Sequence, residues 1–431
     1  MEKLTYKKIF VFWIPLLATW LMMSAEGPYL TALIARLAEP EFNLAAYGVA
    51  FSLALIVESP VIMLLSASVA LVENKYTFYK LRNFVYSINF ALILVMTILI
   101  LPPVFNYLAI TVINLPVRVA NLTHMAVVLL IPWAPAIGYR RFYQGIMIRN
   151  NKTRLVAYGT VIRLISMSVT AFIFFNFTKV PGVIVGAAAL SAGVVVEALA
   201  TRFMSVNIIK KVISESYNEK TITYKEIIKF YYPLILTSFI SLGVHPVVTF
   251  FMGQSRMSLE SLAVLPVLNS LVFIFRAFGL SYQEVGIALM KSKKEYQLLR
   301  NFASLMAVTV VTGLALFSIT PLRDIWLINV AGLPIHLAEF SHLPLIIYTI
   351  FPATTVWINF QRSLLVYARD TKPITYASLI EVVGIIFILF ITIKYFSMIG
   401  VVAAIIAYTL GRFTANYYLI KPFERVKKLL L

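Results

Sequence analysis

Residues 6–16, YKKIFVFWIPL, recur at residues 224–234 as YKEIIKFYYPL, and the two segments lie 224 − 6 = 218 positions apart. The phrase LRNF at 81–84 returns at the same distance, at 299–302. Further residues of the first copy that match at this distance are Leu44, Ser52, Pro103, His124, Tyr158 and Gly193. The constant separation indicates two copies of one unit with no net insertion between them. An internal duplication of long apolar stretches is typical of transporters, whose substrate site lies between the two halves.

Composition indicates an integral membrane protein. Of the 431 residues, 61% are hydrophobic, and the formal net charge is +19. Apolar runs of about 20 residues recur along the chain, and each is long enough to cross a hydrocarbon core of about 30 Å. There is no cysteine, which excludes disulfides and thiolate metal sites. We expect the cations to meet anionic lipid and to set topology, and we expect no nucleic-acid partner.

Hydropathy predicts an all-α polytopic protein with twelve membrane spans. They run near 9–37, 44–72, 83–103, 123–147, 155–177, 182–207, 227–255, 260–290, 302–328, 342–368, 374–395 and 399–420. The first run has no cleavage pattern and lies inside the repeat, so we interpret it as a membrane helix and not as a signal peptide.

Charge in the connecting segments predicts the orientation. Lysine and arginine concentrate in every second connection, near 3–8, 75–82, 149–154, 210–225, 291–294, 369–372 and 421–428. The alternate connections hold only scattered cations, among them Arg118, Lys179, Arg256 and Lys394. The positive-inside rule then places both termini in the cytoplasm.

Each half has six spans, so the repeats are expected to be parallel, as two pseudo-symmetric six-helix lobes. We predict an N-lobe at 1–207, a cytoplasmic linker at 208–226 and a C-lobe at 227–431.

Motifs of soluble enzymes are missing from the chain. It has no GxxxxGK[ST] phosphate loop, no HExxH zinc helix and no GxSxG nucleophile elbow. With four histidines and no cysteine, little remains for a metal site. We therefore expect a transporter and not an enzyme, with no catalytic residue, no bound metal and no cofactor beyond a coupling proton or sodium ion.

The informative residues are ionisable groups at membrane depth, which by default form pairs, line a wet cavity or serve function. Glu26 lies on the first span in SAEGP, where Gly27 and Pro28 favour a local opening of the helix. Such a carboxylate can load and release a proton as access alternates. The alternative is a structural carboxylate bonded to neighbouring polar side chains.

Two slots carry opposite charges in the two copies. Glu58 and Arg276 correspond (276 − 58 = 218), and so do Arg163 and Glu381 (381 − 163 = 218). A Glu58–Arg276 pair could close one side of a cleft between the halves, since breaking a buried pair is costly. The alternative is that each residue pairs inside its own half.

Three more candidates carry weaker signals. Glu197 could share a cavity with Glu26, or serve as a local hydrogen-bond partner. His245 lies one residue from the slot that corresponds to Glu26 (26 + 218 = 244), and histidine can change its charge near neutral pH. Arg362, near the cytoplasmic end of its span, could attract an anion or extend to the interface.

The chain resembles the multidrug/oligosaccharidyl-lipid/polysaccharide exporter (MOP) superfamily, and within it the multidrug and toxic compound extrusion (MATE) transporters. Residues 361–373, QRSLLVYARDTKP, are similar to the polar R-G-x-G-x-T-K-x-P turn after the fourth span of each MATE half, and 144–154 are the first-half counterpart. The resemblance implies an ion-binding acid on the first span. Here that acid is Glu26, about one turn earlier relative to Pro15. The second-half acids of sodium-coupled members are not evident, so we favour proton coupling.

A narrower likeness points to an anion. Residues 46–53, AYGVAFSL, with Glu26 upstream and Ser59-Pro60 downstream, resemble the progressive ankylosis family, which exports citrate, ATP or pyrophosphate. That likeness implies that Arg276 and Arg362 contact substrate.

These observations predict a multi-pass transporter of the plasma (inner) membrane, a monomer that works by alternating access between its lobes. Proton-coupled efflux of small organic compounds is the first hypothesis. An ankylosis-type exporter of organic or phosphate anions is the second. A lipid-linked sugar flippase is the third, and a lipid-facing cationic groove would favour it.

Overall fold

The structure is a computed structural model that describes residues 4–150, 152–214, 221–290, 293–368, 370 and 372–430. These residues form α-helices and no β-strand. The helices are α1 (Tyr6–Ser24), α2 (Glu26–Ala35), α3 (Pro40–Glu58), α4 (Leu64–Leu71), α5 (Lys75–Leu99), α6 (Pro102–Asn106), α7 (Val117–Leu129), α8 (Trp133–Arg149), α9 (Thr153–Phe177), α10 (Gly182–Ser214), α11 (Tyr224–Leu242), α12 (Val244–Gly253), α13 (Ser258–Leu280), α14 (Tyr282–Leu289), α15 (Lys293–Ile319), α16 (Leu322–Asp324), α17 (Ile335–Phe340), α18 (His342–Tyr348), α19 (Phe351–Tyr367), α20 (Lys372–Lys394) and α21 (Gly400–Leu430).

Local sequence signals set several helix starts. The Asn74 side chain accepts a hydrogen bond from the Thr77 amide at 2.9 Å, and the Thr77 hydroxyl accepts one from the Asn74 amide, also at 2.9 Å. Thr223 and Glu226 form the same reciprocal box at the start of α11. Such a box satisfies amides that the first turn leaves without a partner.

Eleven helical segments of the described residues are long and apolar enough to cross a membrane. They are Tyr6–Ala35, Pro40–Leu71, Lys75–Leu99, Val117–Arg149, Arg154–Phe177, Gly182–Ser214, Tyr224–Gly253, Ser258–Ile287, Lys293–Ile319, Ile335–Val366 and Lys372–Lys394. The last predicted span, 399–420, falls within α21, whose Arg412 and Asn416 make it more polar than the others. An all-helical polytopic fold is therefore confirmed, while the count of twelve spans and the cytoplasmic termini stay predictions.

The apolar surface agrees with a lipid environment. Phe90, Phe177 and Tyr417 have 69%, 76% and 77% of their surface exposed, each on a long helix. Contiguous exposed apolar faces of this kind are rare on soluble monomers, but in a bilayer they contact acyl chains.

Helix boundaries repeat with the period of the sequence. α1 begins at Tyr6 and α11 at Tyr224 (224 − 6 = 218), and both are followed after one residue by a second helix, at Glu26 and at Val244 (244 − 26 = 218). α10 and α21 begin at 182 and 400, again 218 apart. The duplication therefore extends from sequence to local structure.

Unusual backbone geometry repeats as well. Glu39 and Met257 (257 − 39 = 218) both adopt a positive φ, 51° and 50°, immediately before α3 and α13. A π-helical segment occupies 107–112 and again 325–330 (325 − 107 = 218). Neither Glu nor Met favours a positive φ, so the surrounding fold must impose it in both copies.

The contacts divide the chain into two compact units that differ from the predicted lobes. Unit 1 contains Met1–Arg36 and Phe251–Leu431, and unit 2 contains Leu37–Phe250. The predicted N-lobe at 1–207 and C-lobe at 227–431 thus differ by the exchange of their first spans. The predicted linker 208–226 is also shorter, because α10 continues to Ser214 and α11 begins at Tyr224; residues 215–220 lie outside the described residues.

Two equivalent aromatic residues explain the exchange. In unit 1, Trp13 of α1 donates from Nε1 to Ser281 Oγ at 2.8 Å in a buried site between α13 and α14. In unit 2, Tyr231 of α11 (13 + 218 = 231) donates from its hydroxyl to the Pro60 carbonyl at 2.5 Å, between α3 and α4. The first span of each copy therefore packs on the second span of the other copy.

Small residues let α4 approach α8, and α14 approach α19. A Cβ added to Gly145 would lie 2.4 Å from the Cβ of Ser68 and 2.6 Å from the carbonyl oxygen of Leu65. In the second copy the glycine is on the opposite helix: a Cβ on Gly286 (68 + 218) would lie 2.6 Å from the Cβ of Ser363 (145 + 218). In both copies a glycine therefore lets the two helices come close, and in the first copy that glycine also contacts the backbone of α4.

Candidate functional site

Charged side chains on the apolar helices form a cluster in each unit. The unit-2 cluster consists of Glu58, Arg140, Arg141, Arg163 and Glu197. The unit-1 cluster consists of Arg276, Arg362, Glu381 and Arg412. The sequence-predicted residues Glu58, Arg163 and Glu197 thus come together in unit 2, and Arg276, Arg362 and Glu381 come together in unit 1.

Glu197 is the centre of the unit-2 cluster. Its carboxylate, on α10, is completely buried, and Arg140 Nη1 of α8 donates to Oε2. Arg163 Nε of α9 lies 3.7 Å from the same oxygen, and Gln144 Nε2 donates to Oε1 at 3.3 Å. Two guanidinium groups and an amide therefore hold this carboxylate, which ties three helices together.

Glu58 is the second carboxylate of this cluster. It is the last residue of α3, just before the 3-10 turn Ser59–Val61, and only 6% of it is exposed. Its electrostatic partners are Arg141, Arg140 and Arg163. Both buried carboxylates of unit 2 therefore face cations of α8 and α9, which offsets the cost of burying their charges.

Sequence reasoning missed Arg140 and Arg141. The signal was present, because two adjacent arginines stand inside the predicted span 123–147. Arg140 is 8% exposed and faces the acids of its own unit, as an intramembrane cation is expected to do.

The unit-1 cluster has the larger excess of positive charge, with three arginines to one glutamate, whereas the unit-2 cluster has three arginines to two glutamates. Arg412 of α21 donates from Nε to Glu381 Oε1 of α20 at 2.7 Å, and from Nη1 to Thr355 Oγ1 at 3.4 Å. Arg362 of α19 donates from Nη2 to Ser378 Oγ at 3.2 Å. With Arg276 of α13, three guanidinium groups share one carboxylate.

Aromatic rings contact two of these guanidinium groups and stabilise their positive charge. The guanidinium carbon of Arg276 lies 5.0 Å from the centre of the Phe351 ring and 5.8 Å from that of Phe273. The guanidinium carbon of Arg412 lies 5.1 Å from the same Phe351 ring. A cation over a ring face is stabilised by the ring quadrupole without being neutralised.

Nε of Arg276 and Nε of Arg362 are buried without an acceptor among the described residues, as are Nε of Arg140 and Nε of Arg141 in the unit-2 cluster. A buried donor with no acceptor costs free energy, because it has lost its hydrogen bonds to water. An anion with several oxygens would accept from such donors in the bidentate geometry that guanidinium groups favour. The unit-1 cluster combines such donors with an excess of two positive charges, and it is therefore the one better suited to a carboxylate or a phosphate.

The slot shared by Arg163 and Glu381 holds an ion pair in both units, with the signs reversed. Arg163 of α9 pairs with Glu197 of α10, and Glu381 of α20 pairs with Arg412 of α21. Each pair joins the fifth and sixth spans of its own copy. Glu58 belongs to unit 2 and Arg276 to unit 1, and the pairing predicted between them stays a prediction.

Glu26 and His245 both stand at a helix junction. α1 ends at Ser24, Ala25 joins the two helices, and Glu26 is the first residue of α2, where it is half-buried. His245 is the second residue of α12, just after the equivalent junction, and is also half-buried. Both junction residues keep helical dihedrals, Ala25 at φ −73° and ψ −20° and Gly243 at φ −63° and ψ −15°, and their amides donate to Leu21 O and Phe239 O. The local opening predicted at Glu26 therefore stays a prediction.

Parts of the two polar motifs lie outside the described residues, namely Asn151, Arg369 and Thr371. Among the residues that are described, no group of three or more His, Cys, Asp or Glu is arranged to hold a metal.

Comparison with solved structures shows the fold. A multidrug resistance MATE family transporter of the MOP superfamily, in an inward-facing conformation, matches 95% of this chain and 95% of its own, with 14% identity and a TM-score of 0.74. The lipid II flippase MurJ, in an inward closed conformation, matches 96% of this chain and 90% of its own, with 17% identity and a TM-score of 0.72. An outward-facing MATE structure matches 99% of both chains, with 14% identity and a TM-score of 0.61.

This chain has the fold of the MOP-superfamily transporters. No protein-family model matches the sequence. No curated protein matches it either. The solved structures confirm the resemblance to the MOP superfamily at the level of the fold, which is that of a multi-pass membrane protein.

Proposed function

We propose that this protein is a secondary transporter of organic or phosphate-bearing anions that works by alternating access. Its MOP-type fold supports transport, because neighbours of this fold are known in inward-facing and outward-facing conformations. We further propose that it acts as a monomer in the plasma (inner) membrane, performs no covalent chemistry and moves substrate between two six-span lobes.

The charge of the unit-1 cluster is the observation that supports an anionic substrate. Three guanidinium groups against one carboxylate leave an excess of two positive charges at membrane depth, where an uncompensated cation is costly. A citrate or pyrophosphate anion would neutralise this excess and accept from the Nε donors of Arg276 and Arg362. A cationic drug would be repelled by the same charges.

Flux into proteoliposomes tests this proposal. We expect pyrophosphate or citrate to exchange in counterflow, and a fluorescent cationic dye not to exchange. Arg276→Gln should lower the flux at least tenfold, since a hydrogen bond to a charged group contributes about 1.5–3 kcal/mol. Arg256→Gln is the matched control, because it removes one exposed arginine from the loop between α12 and α13. Dye counterflow with proton release, and no anion flux, would contradict the proposal.

Proton-coupled efflux of small organic compounds is the second candidate, and Glu26 favours it. A half-buried carboxylate at the junction of α1 and α2 is suited to exchanging a proton between the two sides of the membrane. Proton coupling is also compatible with an anionic substrate, so we assign the coupling role to Glu26 in either case. His245 is proposed as its second-copy counterpart.

A lipid-linked sugar flippase is the third candidate, since MurJ shares the fold. It differs from the first candidate in where the substrate enters, because a flippase takes its substrate from the bilayer and a soluble anion comes from water. Flux of a water-soluble pyrophosphate therefore separates the two.

A further inference from the structure

A groove opens in unit 1 between α20 and the C-terminal half of α21. Its volume is about 720 Å³. Its lining includes Ile380, Thr414, Tyr417 and Ile420 together with the cations Lys421 and Arg425.

Exposed side chains border this groove. Tyr417 is 77% exposed and Ile420 is 45% exposed, so an acyl chain can lie against both. Lys421 and Arg425 are also exposed. One nitrogen of Arg425 pairs with Asp370 Oδ2 at 2.5 Å, yet the Arg425 side chain remains 63% exposed. Both cations can therefore still reach a ligand.

Helix length places the two cations at the level of the lipid headgroups. α21 has 31 residues, and at about 1.5 Å per residue it is about 46 Å long, which exceeds a hydrocarbon core of about 30 Å. Counted from Gly400, a span of about 30 Å ends near Ile420. Lys421 and Arg425 are the next two cations, at the point where the helix leaves the core.

We propose that this groove binds one anionic phospholipid, with an acyl chain against Tyr417 and Ile420 and the phosphate between Lys421 and Arg425. The inference does not depend on which substrate is transported, because its residues are distinct from the unit-1 cluster.

The balance of charge selects an anionic headgroup. Residues 421–428 contain four cations and the single acid Glu424. Glu424 pairs with Lys427 and Asp370 pairs with Arg425, both at 2.5 Å, so Lys421, Arg425 and Asp370 together bring one net positive charge to the groove. A zwitterionic headgroup would bring its own cation beside theirs, and interfacial cations attract anionic lipid.

Lipid titration of the detergent-purified full chain tests the proposal. The probes are dioctanoyl phosphatidylglycerol, dioctanoyl phosphatidylcholine, inorganic phosphate and a polyprenyl phosphate, and the readout is the thermal unfolding midpoint. We expect a saturable rise with phosphatidylglycerol and none with phosphatidylcholine or phosphate. In Lys421→Gln/Arg425→Gln the apparent affinity should fall about 30-fold, from the loss of two interfacial cations.

Two further variants keep the test specific. Lys394→Gln/Lys428→Gln removes the same net charge from exposed positions that do not line the groove, and should bind phosphatidylglycerol like the wild type. Thr414→Trp keeps both cations but fills the groove, and should also weaken binding.

Four results would overturn the proposal. Equal losses in both double variants would mean non-specific attraction by net charge. Equal stabilisation by phosphatidylcholine would mean ordinary apolar contact, and equal stabilisation by inorganic phosphate would mean a free anion site. Tighter binding of polyprenyl phosphate than of phosphatidylglycerol would assign the groove to a lipid-linked substrate.

Discussion

Replacing Glu197 with glutamine should destabilise the protein strongly without changing its shape. The carboxylate is completely buried between Arg140 and Arg163, so the substitution leaves two buried guanidinium groups facing a neutral amide. Removing one partner of a buried pair costs about 3–5 kcal/mol, since the remaining charge has lost both water and its counterion. We expect a loss of unfolding free energy in that range.

The assay is reversible unfolding in mixed micelles with increasing denaturing detergent, followed by tryptophan fluorescence. Glu39→Gln is the matched control, because Glu39 also pairs with an arginine, Arg118, but the two side chains are 47% and 56% exposed. An exposed pair contributes at most about 1 kcal/mol. A Glu197→Gln protein as stable as the Glu39→Gln protein would refute a structural role. Wild-type stability with lost proton coupling would instead make Glu197 a coupling residue.

Three further substitutions test other parts of the structure. Gly286→Ser should cost about 1–3 kcal/mol of unfolding free energy by overpacking, and adding Ser363→Gly should recover at least half, because the added Cβ would lie 2.6 Å from the Ser363 Cβ but 3.9 Å from Met290 Cε; failure of the rescue would contradict Ser363 as the cause of the overpacking. Glu26→Gln should abolish proton-driven flux in proteoliposomes and leave the unfolding midpoint unchanged, and normal proton-driven flux would rule out its coupling role. Trp13→Phe removes a buried donor to Ser281 and should lower the unfolding free energy by about 1 kcal/mol; no change would show that this bond does not secure α1.

The sequence was informative about local structure because both copies keep the same order of helices and breaks. The repeated junctions before Glu26 and Val244 were predictable in outline from Gly27-Pro28 and His245-Pro246. The positive φ of Glu39 and Met257 was not, because neither residue type favours it and only the packed fold imposes it.

The packing of the first spans was beyond the reach of sequence patterns. Trp13 and Ser281 are 268 positions apart, and no local signal connects them. Consecutive helices usually pack together, which is why span 1 was predicted to join spans 2–6. Contacts with α13 and α14 place it in unit 1 instead.

The sequence predicts which charged residues belong to the clusters, but not which of them pair with each other. Glu58, Arg163, Glu197, Arg276, Arg362 and Glu381 are evident as charges in apolar runs. That Arg163 faces Glu197, and Glu381 faces Arg412, depends on the relative rotation of adjacent helices, which hydropathy does not specify. Their functional roles stay predictions.

Thiol labelling tests most directly whether the two copies share one orientation in the membrane, as alternating access between parallel lobes requires. The chain has no cysteine, so single substitutions need no background removal. Tyr76→Cys and Lys294→Cys (294 − 76 = 218) should react with a membrane-impermeant maleimide from one side of the membrane only. Val117→Cys and Ile335→Cys (335 − 117 = 218) should react only from the other side. Labelling of the two members of either pair from opposite sides would show inverted repeats and contradict the proposed architecture.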